Sequence, residues 1–305
     1  MKVVVWLPNE IRAFEQQPEQ LAALAARHPH HSFVEVRDEA AFLRELTDAE
    51  VALVWHFSAA WYERAPKLRV VATPAAGREK LERDPSGRVR AVHGHFHGQI
   101  MAETLLAMML FCSRRLGQAI AAQRARRYER EPYAATRRLA GQHALIVGYG
   151  PLGRECARLL TAIGVRVTGV KRSPNVEPGP AQAVRPVTEL HELLPHTDHV
   201  VLTLPGDTGA DHLISDAELL LMKPSATLYN LGRGNAVDEA ALLHALRSGQ
   251  IAGAFLDVFE REPLPVDSPL WDAPNLALLP HASAISQEYL ELWFQELGPE
   301  LDSLR

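Results

Sequence analysis

Gly148, Gly150 and Gly153 stand at GxGxxG spacing in ALIVGYGPLGRECARLL (144–160), between an apolar, β-branched run and an amphipathic helical pattern. The first glycine permits a tight turn, the second lets the backbone approach a pyrophosphate, and the third lets helix and strand pack closely. Free N–H groups and the helix dipole then attract phosphate. Pro151 lacks an N–H but suits the first helical turn, which leaves the Leu152 amide as phosphate donor. A bare glycine triplet is weak, because such triplets occur by chance in loops. Here a strand precedes it, a helix follows and a second strand comes at the usual distance, so the pattern predicts a dinucleotide-binding βαβ unit.

The rest of the chain continues the alternation. Strands are expected at 2–7, 33–36, 51–55, 68–73 and 89–93, then at 144–148, 165–170, 199–204, 226–231, 251–258 and 275–280. Their continuous hydrophobicity predicts parallel sheets covered on both faces. One long helix is expected from about Gln99 to Arg127, and a last one over ISQEYLELWFQEL (285–297). A chain of 305 residues has room for two domains with real cores.

The net charge of -5 favours no polyanion, and nucleic acid is not expected as a partner. The basic run QRARRYER (123–130) reads as a solvated helical face. Cys112 and Cys156 are the two cysteines, too few for a disulfide scaffold or a cysteine-based metal site, and they suggest a reducing compartment. No signal peptide is apparent at MKVVVWLPNE, and the apolar run at 104–112 is too short to span a bilayer, so a cytoplasmic location without membrane association is expected. His93, His95 and His97 alternate as metal ligands on one strand face would. The chain should bend at Gly94 and Gly98, however, and no carboxylate or cysteine completes a set, so no metal is expected.

Three polar residues fall where parallel strands should end, the edge at which open α/β sheets bind ligands. Arg233 lies in YNLGRGNAVD, Glu262 in LDVFEREPLP and His281 in LLPHASA. An arginine can bind a carboxylate through two hydrogen bonds and polarise the adjacent carbonyl. A histidine held by a carboxylate can act as a general acid. Singly, each has a plainer reading as a surface charge, a loop acid or a strand-end histidine. Together they are suited to reducing a 2-oxo acid by hydride transfer.

The blocks GYGPLG, LTLP, NLGRGNAVDEAALLHALRSGQIAGAFLDVFEREPLP and SPLWDAPNLALLPHASA resemble, in order and spacing, those of the D-isomer-specific 2-hydroxyacid dehydrogenase family. LRVVATPAAG resembles the family's strand and loop against the substrate carboxylate, and MAETLLAMML its helix between domains. The resemblance implies two doubly wound α/β domains. A Rossmann-type cofactor domain, 98–284, would be inserted into a flavodoxin-like substrate domain, 1–97 plus 285–305, with a cleft between them. Arg233 would bind the substrate carboxylate and carbonyl, with His281 as acid/base paired to Glu262. The backbone amides of Ala76 and Gly77 would also meet the carboxylate. Leu204 and Pro205 would line the adenosine side, Gly232 and Arg233 would approach the nicotinamide half, Leu231 would also bind cofactor, and Asp257 would sit near the carboxamide. A homodimer through the cofactor domain is implied, with the long helix and the arm at 128–139 as contacts.

Formate dehydrogenases resemble this family but carry glutamine in the role of Glu262, so the acid favours carbonyl chemistry. Glyoxylate or hydroxypyruvate is the expected substrate class. The alternatives are a dinucleotide-sensing corepressor and a phosphoglycerate- or phosphite-type enzyme. Phosphoglycerate dehydrogenases often carry a further C-terminal domain, for which this chain has no room. The loop after Gly77 lacks the aspartate common in the family, and Trp55, His56 and Phe57 suit either core or substrate.

In VTGVKRSP (167–174), Lys171 stands where NAD-selective relatives place a ribose-binding aspartate. A cationic Lys171–Arg172 pair beside the Ser173 hydroxyl suits a dianionic 2′-phosphate, so NADP(H) is expected over NAD(H).

Overall fold

The computed structural model describes residues 1–206 and 209–304. The chain divides into two compact units, Met1–His97 with Ile285–Arg305, and Gly98–Ala284.

In the first unit, β1 (Lys2–Trp6), β2 (Ser32–Glu35), β3 (Val51–Val54), β4 (Val70–Thr73) and β5 (Arg90–His93) form a parallel sheet. Its order is β2-β1-β3-β4-β5, the flavodoxin-like order, which reverses direction between β1 and β3. β3 and β4 are buried at every residue, which is why VALV and VVAT read as unbroken apolar runs. Helix α1 (Pro18–Arg27) packs against the C-terminal helix, Tyr289–Ser303. Helix α2 (Glu39–Glu45) sends Phe42 onto Val4, Ala52 and Val71 of the sheet.

The second unit holds β6 (His143–Val147), β7 (Arg166–Lys171), β8 (Ala183–Pro186), β9 (His199–Leu202), β10 (Thr227–Asn230), β11 (Gly253–Leu256) and β12 (Leu276–Leu278). All pair in parallel, in the order β12-β11-β10-β9-β6-β7-β8. The helices are α3 (His97–Ser113), α4 (Leu116–Arg124), α5 (Pro151–Ala162), α6 (Leu190–Leu193), α7 (Asp216–Leu221) and α8 (Glu239–Ser248). Alternate residues of β6 feed opposite cores. Ala144 and Ile146 join Leu105 of α3 and Leu160 of α5, whereas Leu145 and Val147 join Leu219 of α7 and Leu242 of α8. Each such Leu, Ile or Val side chain contributes about 1.5–3 kcal/mol of burial, and both faces of the sheet are closed. Strand order reverses between β6 and β9, and the glycine turn follows β6 at this switch point.

Three expectations need correction. The single helix of 99–127 is two helices, α3 and α4, bent by 63°. Arg115 between them adopts a left-handed φ of 54°, which ends one helix and redirects the chain into the next. β8, AVRP, was not expected as a strand; it is a partly exposed edge whose arginine and proline mask any apolar run. The final helix starts at Tyr289 rather than Ile285, because Ser286 and Glu288 turn the chain before it. Among the described residues no single helix is long and apolar enough to cross a membrane.

Candidate active site

The glycine turn is built by contacts that exclude side chains. Gly148 has φ 101°, and a Cβ there would lie 2.8 Å from the Thr203 carbonyl carbon. A Cβ on Gly153 would meet the Gly148 carbonyl oxygen and Ile146 at 3.0 Å. At Gly150 the nearest atom to an added Cβ is 3.9 Å away, so the backbone is open on its outer side. Gly150 caps α5 and Pro151 opens it. The Leu152 and Gly153 amides therefore belong to the first helical turn, whose N–H groups lack helical acceptors. This cradle fits a pyrophosphate. Thr203, directly after β9, braces it, its hydroxyl donating to the Gly148 carbonyl at 2.8 Å.

Arg233 follows β10 in a loop set by Asn230. This fully buried residue accepts from the Gly232 N–H at 3.1 Å through Oδ1 and donates to the Arg233 carbonyl at 2.9 Å through Nδ2. A Cβ on Gly232 would lie 2.6 Å from the Leu204 carbonyl oxygen, and one on Gly234 would fall 1.9 Å from the Phe259 carbonyl. The glycines flanking Arg233 thus let its loop press between the chain after β9 and the chain after β11.

His281 Nδ1 lies 2.7 Å from Glu262 Oε2. The other carboxylate oxygen of Glu262 accepts from the Phe259 N–H at 3.1 Å, which orients the carboxylate toward the ring. His281 itself has φ 51°, uncommon for a non-glycine residue. Its N–H donates to the Asp257 carbonyl at 2.8 Å and to the Leu279 carbonyl at 3.0 Å. Asp257 is 1% exposed; its carboxylate accepts from the Ala282 N–H at 2.7 Å, from the Ser283 N–H at 3.1 Å and from the Ser283 hydroxyl. Burial pushes the Asp257 carboxyl above its ordinary value, against the bonds that Ser283 and Ala282 donate. Thr104 of α3 donates to the Ser283 carbonyl at 2.9 Å and holds the same turn.

The structure therefore brings Glu262 and His281 into contact, with Asp257 behind them, and packs Gly232 on Leu204. Leu231 is buried, whereas Leu204 is half-buried and Pro205 exposed. Lys171 ends β7, with Arg172 and Ser173 exposed beyond it; they lie across β6 from β10, β11 and β12. In the first unit, Ala76 and Gly77 lie in the loop after β4, which is tied by the Ala75 N–H to the Thr73 hydroxyl at 3.2 Å. Phe57 is core, at 1% exposure, while His56 is exposed. The three alternating histidines diverge. His93 ends β5, the His95 N–H donates to Glu296, and His97 Nε2 lies 2.8 Å from the Tyr289 hydroxyl. No group of three or more His, Cys, Asp or Glu suited to a metal ion occurs among the described residues. Burial pushes the Cys112 thiol up to about 11 and the Cys156 thiol to about 12, which keeps both protonated and unreactive.

Thr203, Asn230 and Ser283 were not anticipated. Thr203 and Asn230 act on backbone and Ser283 on the Asp257 carboxylate; for the first two, the one hint in the sequence is a polar residue at the end of an otherwise apolar strand.

Residues 106–283 match the model of a family described as D-isomer specific 2-hydroxyacid dehydrogenase, NAD binding domain. "Glyoxylate/hydroxypyruvate reductase B" of Pectobacterium carotovorum subsp. carotovorum (strain PC1) is 35% identical over 232 residues, covering 74% of this chain and 72% of its own length. A D-isomer specific 2-hydroxyacid dehydrogenase family protein from Aeromonas salmonicida subsp. salmonicida A449 superposes with a TM-score of 0.76 at 30% identity, covering 96% of this chain and 92% of that one. Another, from Xanthobacter autotrophicus Py2 in complex with NADPH and MES, gives a TM-score of 0.78 at 28% identity, with 99% and 95% covered. The fold and the glycine turn are those of an oxidoreductase with a nicotinamide dinucleotide domain. The chain belongs to the D-isomer specific 2-hydroxyacid dehydrogenase family.

Proposed function

We propose that the protein reduces a small 2-oxo acid, of the glyoxylate or hydroxypyruvate kind, to the D-2-hydroxy acid, with NADPH preferred over NADH. The observation that carries this reading is the 2.7 Å contact between His281 Nδ1 and Glu262. With Nδ1 committed to the carboxylate, Nε2 is the ring nitrogen available to hand a proton to a carbonyl oxygen. Arg233 binds the substrate carboxylate and draws electron density from the neighbouring carbonyl. Ala76 and Gly77, in the loop after β4, are read as backbone donors to a substrate carboxylate. A nicotinamide dinucleotide, with its pyrophosphate held at the glycine turn, would supply the hydride, while Asp257 and Asn230 keep the His281 and Arg233 loops in place. In the reverse direction His281 accepts the hydroxyl proton.

The substrate class follows the relative named as a glyoxylate/hydroxypyruvate reductase. The cofactor preference rests on Lys171 and Arg172, whose side chains pair with no carboxylate among the described residues. Apolar side chains exposed on α3 and α4, Leu110, Leu116 and Ile120, support assembly as a homodimer through this unit. The test of the reading is a steady-state panel of 2-oxo acids run with NADPH and with NADH. Turnover of short 2-oxo acids at higher kcat/KM with NADPH is expected. No oxidation of either cofactor across the panel would favour a dinucleotide-sensing protein instead.

A further inference from the structure

We infer that Tyr149 and Arg154, both from the glycine motif, are positioning residues for recognition of the cofactor's 2′-phosphate. The inference rests on the NADPH preference proposed above. The chain after β7, RSPNVEPGPA (172–181), begins with Arg172 next to Lys171, the cations that would meet the phosphate, yet its three prolines and one glycine give it no regular hydrogen-bonded structure. It is held by the motif instead. Tyr149 is fully buried; its hydroxyl donates to the Pro178 carbonyl at 2.7 Å and accepts from the Ala181 N–H at 3.2 Å. Its ring fills the space above Gly169 of β7, where an added Cβ would lie 2.4 Å from the ring. The Arg154 guanidinium covers the ring at 5.2 Å and donates to the Glu177 carbonyl at 2.6 Å. Gly179, with φ 57°, lets the loop pass Arg154, since a Cβ there would lie 3.0 Å from Nη1.

The carbonyls of Glu177 and Pro178 and the N–H of Ala181 are therefore fixed from α5 and the turn before it. The side chains of Lys171, Arg172 and Ser173 form no hydrogen bond or ion pair among the described residues. A clamp of this kind lowers the ordering cost of binding a phosphate there. It should leave binding of a cofactor without that phosphate nearly untouched, because the Tyr149 hydroxyl and the Arg154 guanidinium bond the 177–181 segment rather than the backbone of the glycine turn.

Isothermal titration calorimetry with NADPH and with NADH, on the wild type, Tyr149→Phe, Arg154→Met and Lys171→Ala/Arg172→Ala, tests this. Loss of one clamp bond should raise Kd for NADPH roughly 5- to 10-fold in Tyr149→Phe and Arg154→Met and leave Kd for NADH within about twofold. Equal weakening of both cofactors, or unchanged NADPH affinity in both single variants while the double variant loses it, would overturn the positioning role. Unchanged selectivity in the double variant would instead remove the NADPH reading, and this inference with it. Melting temperatures near wild type, expected for the half-exposed Arg154→Met, separate the clamp from a folding defect.

Discussion

Glu262 and His281, nineteen positions apart, meet through one hydrogen bond of 2.7 Å, with the other oxygen of the carboxylate held by the Phe259 N–H. The histidine sits after β12 and the acid after β11, so the parallel sheet itself delivers them to the same edge. His281→Ala should lower kcat by about 10²–10⁴, the usual share of a general acid–base group, with NADPH affinity unchanged. Glu262→Gln keeps a hydrogen-bond acceptor for the ring but removes the charge, and kcat should fall between wild type and His281→Ala. Steady-state kinetics alongside calorimetric Kd values check both.

Arg233→Lys retains a positive charge but loses the planar fork that grips a carboxylate through two bonds. A hydrogen bond to a charged group contributes about 1.5–3 kcal/mol, so kcat/KM for the 2-oxo acid should drop roughly 10- to 100-fold. KM should rise along with the loss of kcat. A variant with wild-type KM would show that Arg233 does not contact the substrate.

Gly148→Ala tests the glycine turn. The φ of 101° and the backbone of Thr203 and Leu204 within 3 Å of an added Cβ leave no room for relaxation. The left-handed conformation alone costs about 1–2 kcal/mol for an alanine, and the collision adds to it. A melting temperature lower by several degrees and dinucleotide binding weakened at least tenfold are expected, the latter of the order of a lost phosphate contact. Gly87→Ala, also at positive φ but with nothing within 4 Å of its Cβ, carries the conformational cost without the collision, so it should melt less far below wild type than Gly148→Ala and bind dinucleotide normally.

Acid should destabilise the cofactor unit through His199. Burial pushes this histidine down to about 4, its ring held between the Tyr229 hydroxyl at 3.2 Å and Gln142 Oε1 at 2.6 Å. Its folded value lies below that of the unfolded chain, so the unfolded state binds the extra proton between pH 6.5 and 4, and stability falls as pH drops through that window. The full effect, reached near pH 4, is about 3 kcal/mol. His199→Gln should flatten the dependence of melting temperature on pH below 6.5. An unchanged slope would show that other groups carry the acid response.

Much of this architecture was legible in the sequence because its cause is local. Strands such as VALV and HVVL are buried on both faces, and that condition writes itself as a continuous apolar run. The glycines of 148–153 announced the turn by their spacing, and at Gly148 and Gly153 a side chain would collide with the neighbouring chain. What stayed hidden depends on distant partners. β8 gains its strand character from pairing with β7, not from AVRP itself. The break at Arg115 arises in a residue with no special turn chemistry. Asn230, Thr203 and Tyr149 act through backbone carbonyls and amides that no spacing rule reveals. The Glu262–His281 contact was expected from resemblance, but its distance and the Phe259 support are visible only in the fold.

The most direct measurement of the central claim is transfer of label. NADPH deuterated at the transferring position of its nicotinamide is incubated with the wild-type protein and glyoxylate or hydroxypyruvate, and the product is analysed by mass spectrometry and chiral chromatography. Hydride transfer predicts one deuterium at C2 of the hydroxy acid and, from hydroxypyruvate, a single D-configured product. The label should be lost from the cofactor in equal amount, and His281→Ala should yield little or none. No labelled hydroxy acid from the wild-type protein, or an L-configured one, would contradict the account.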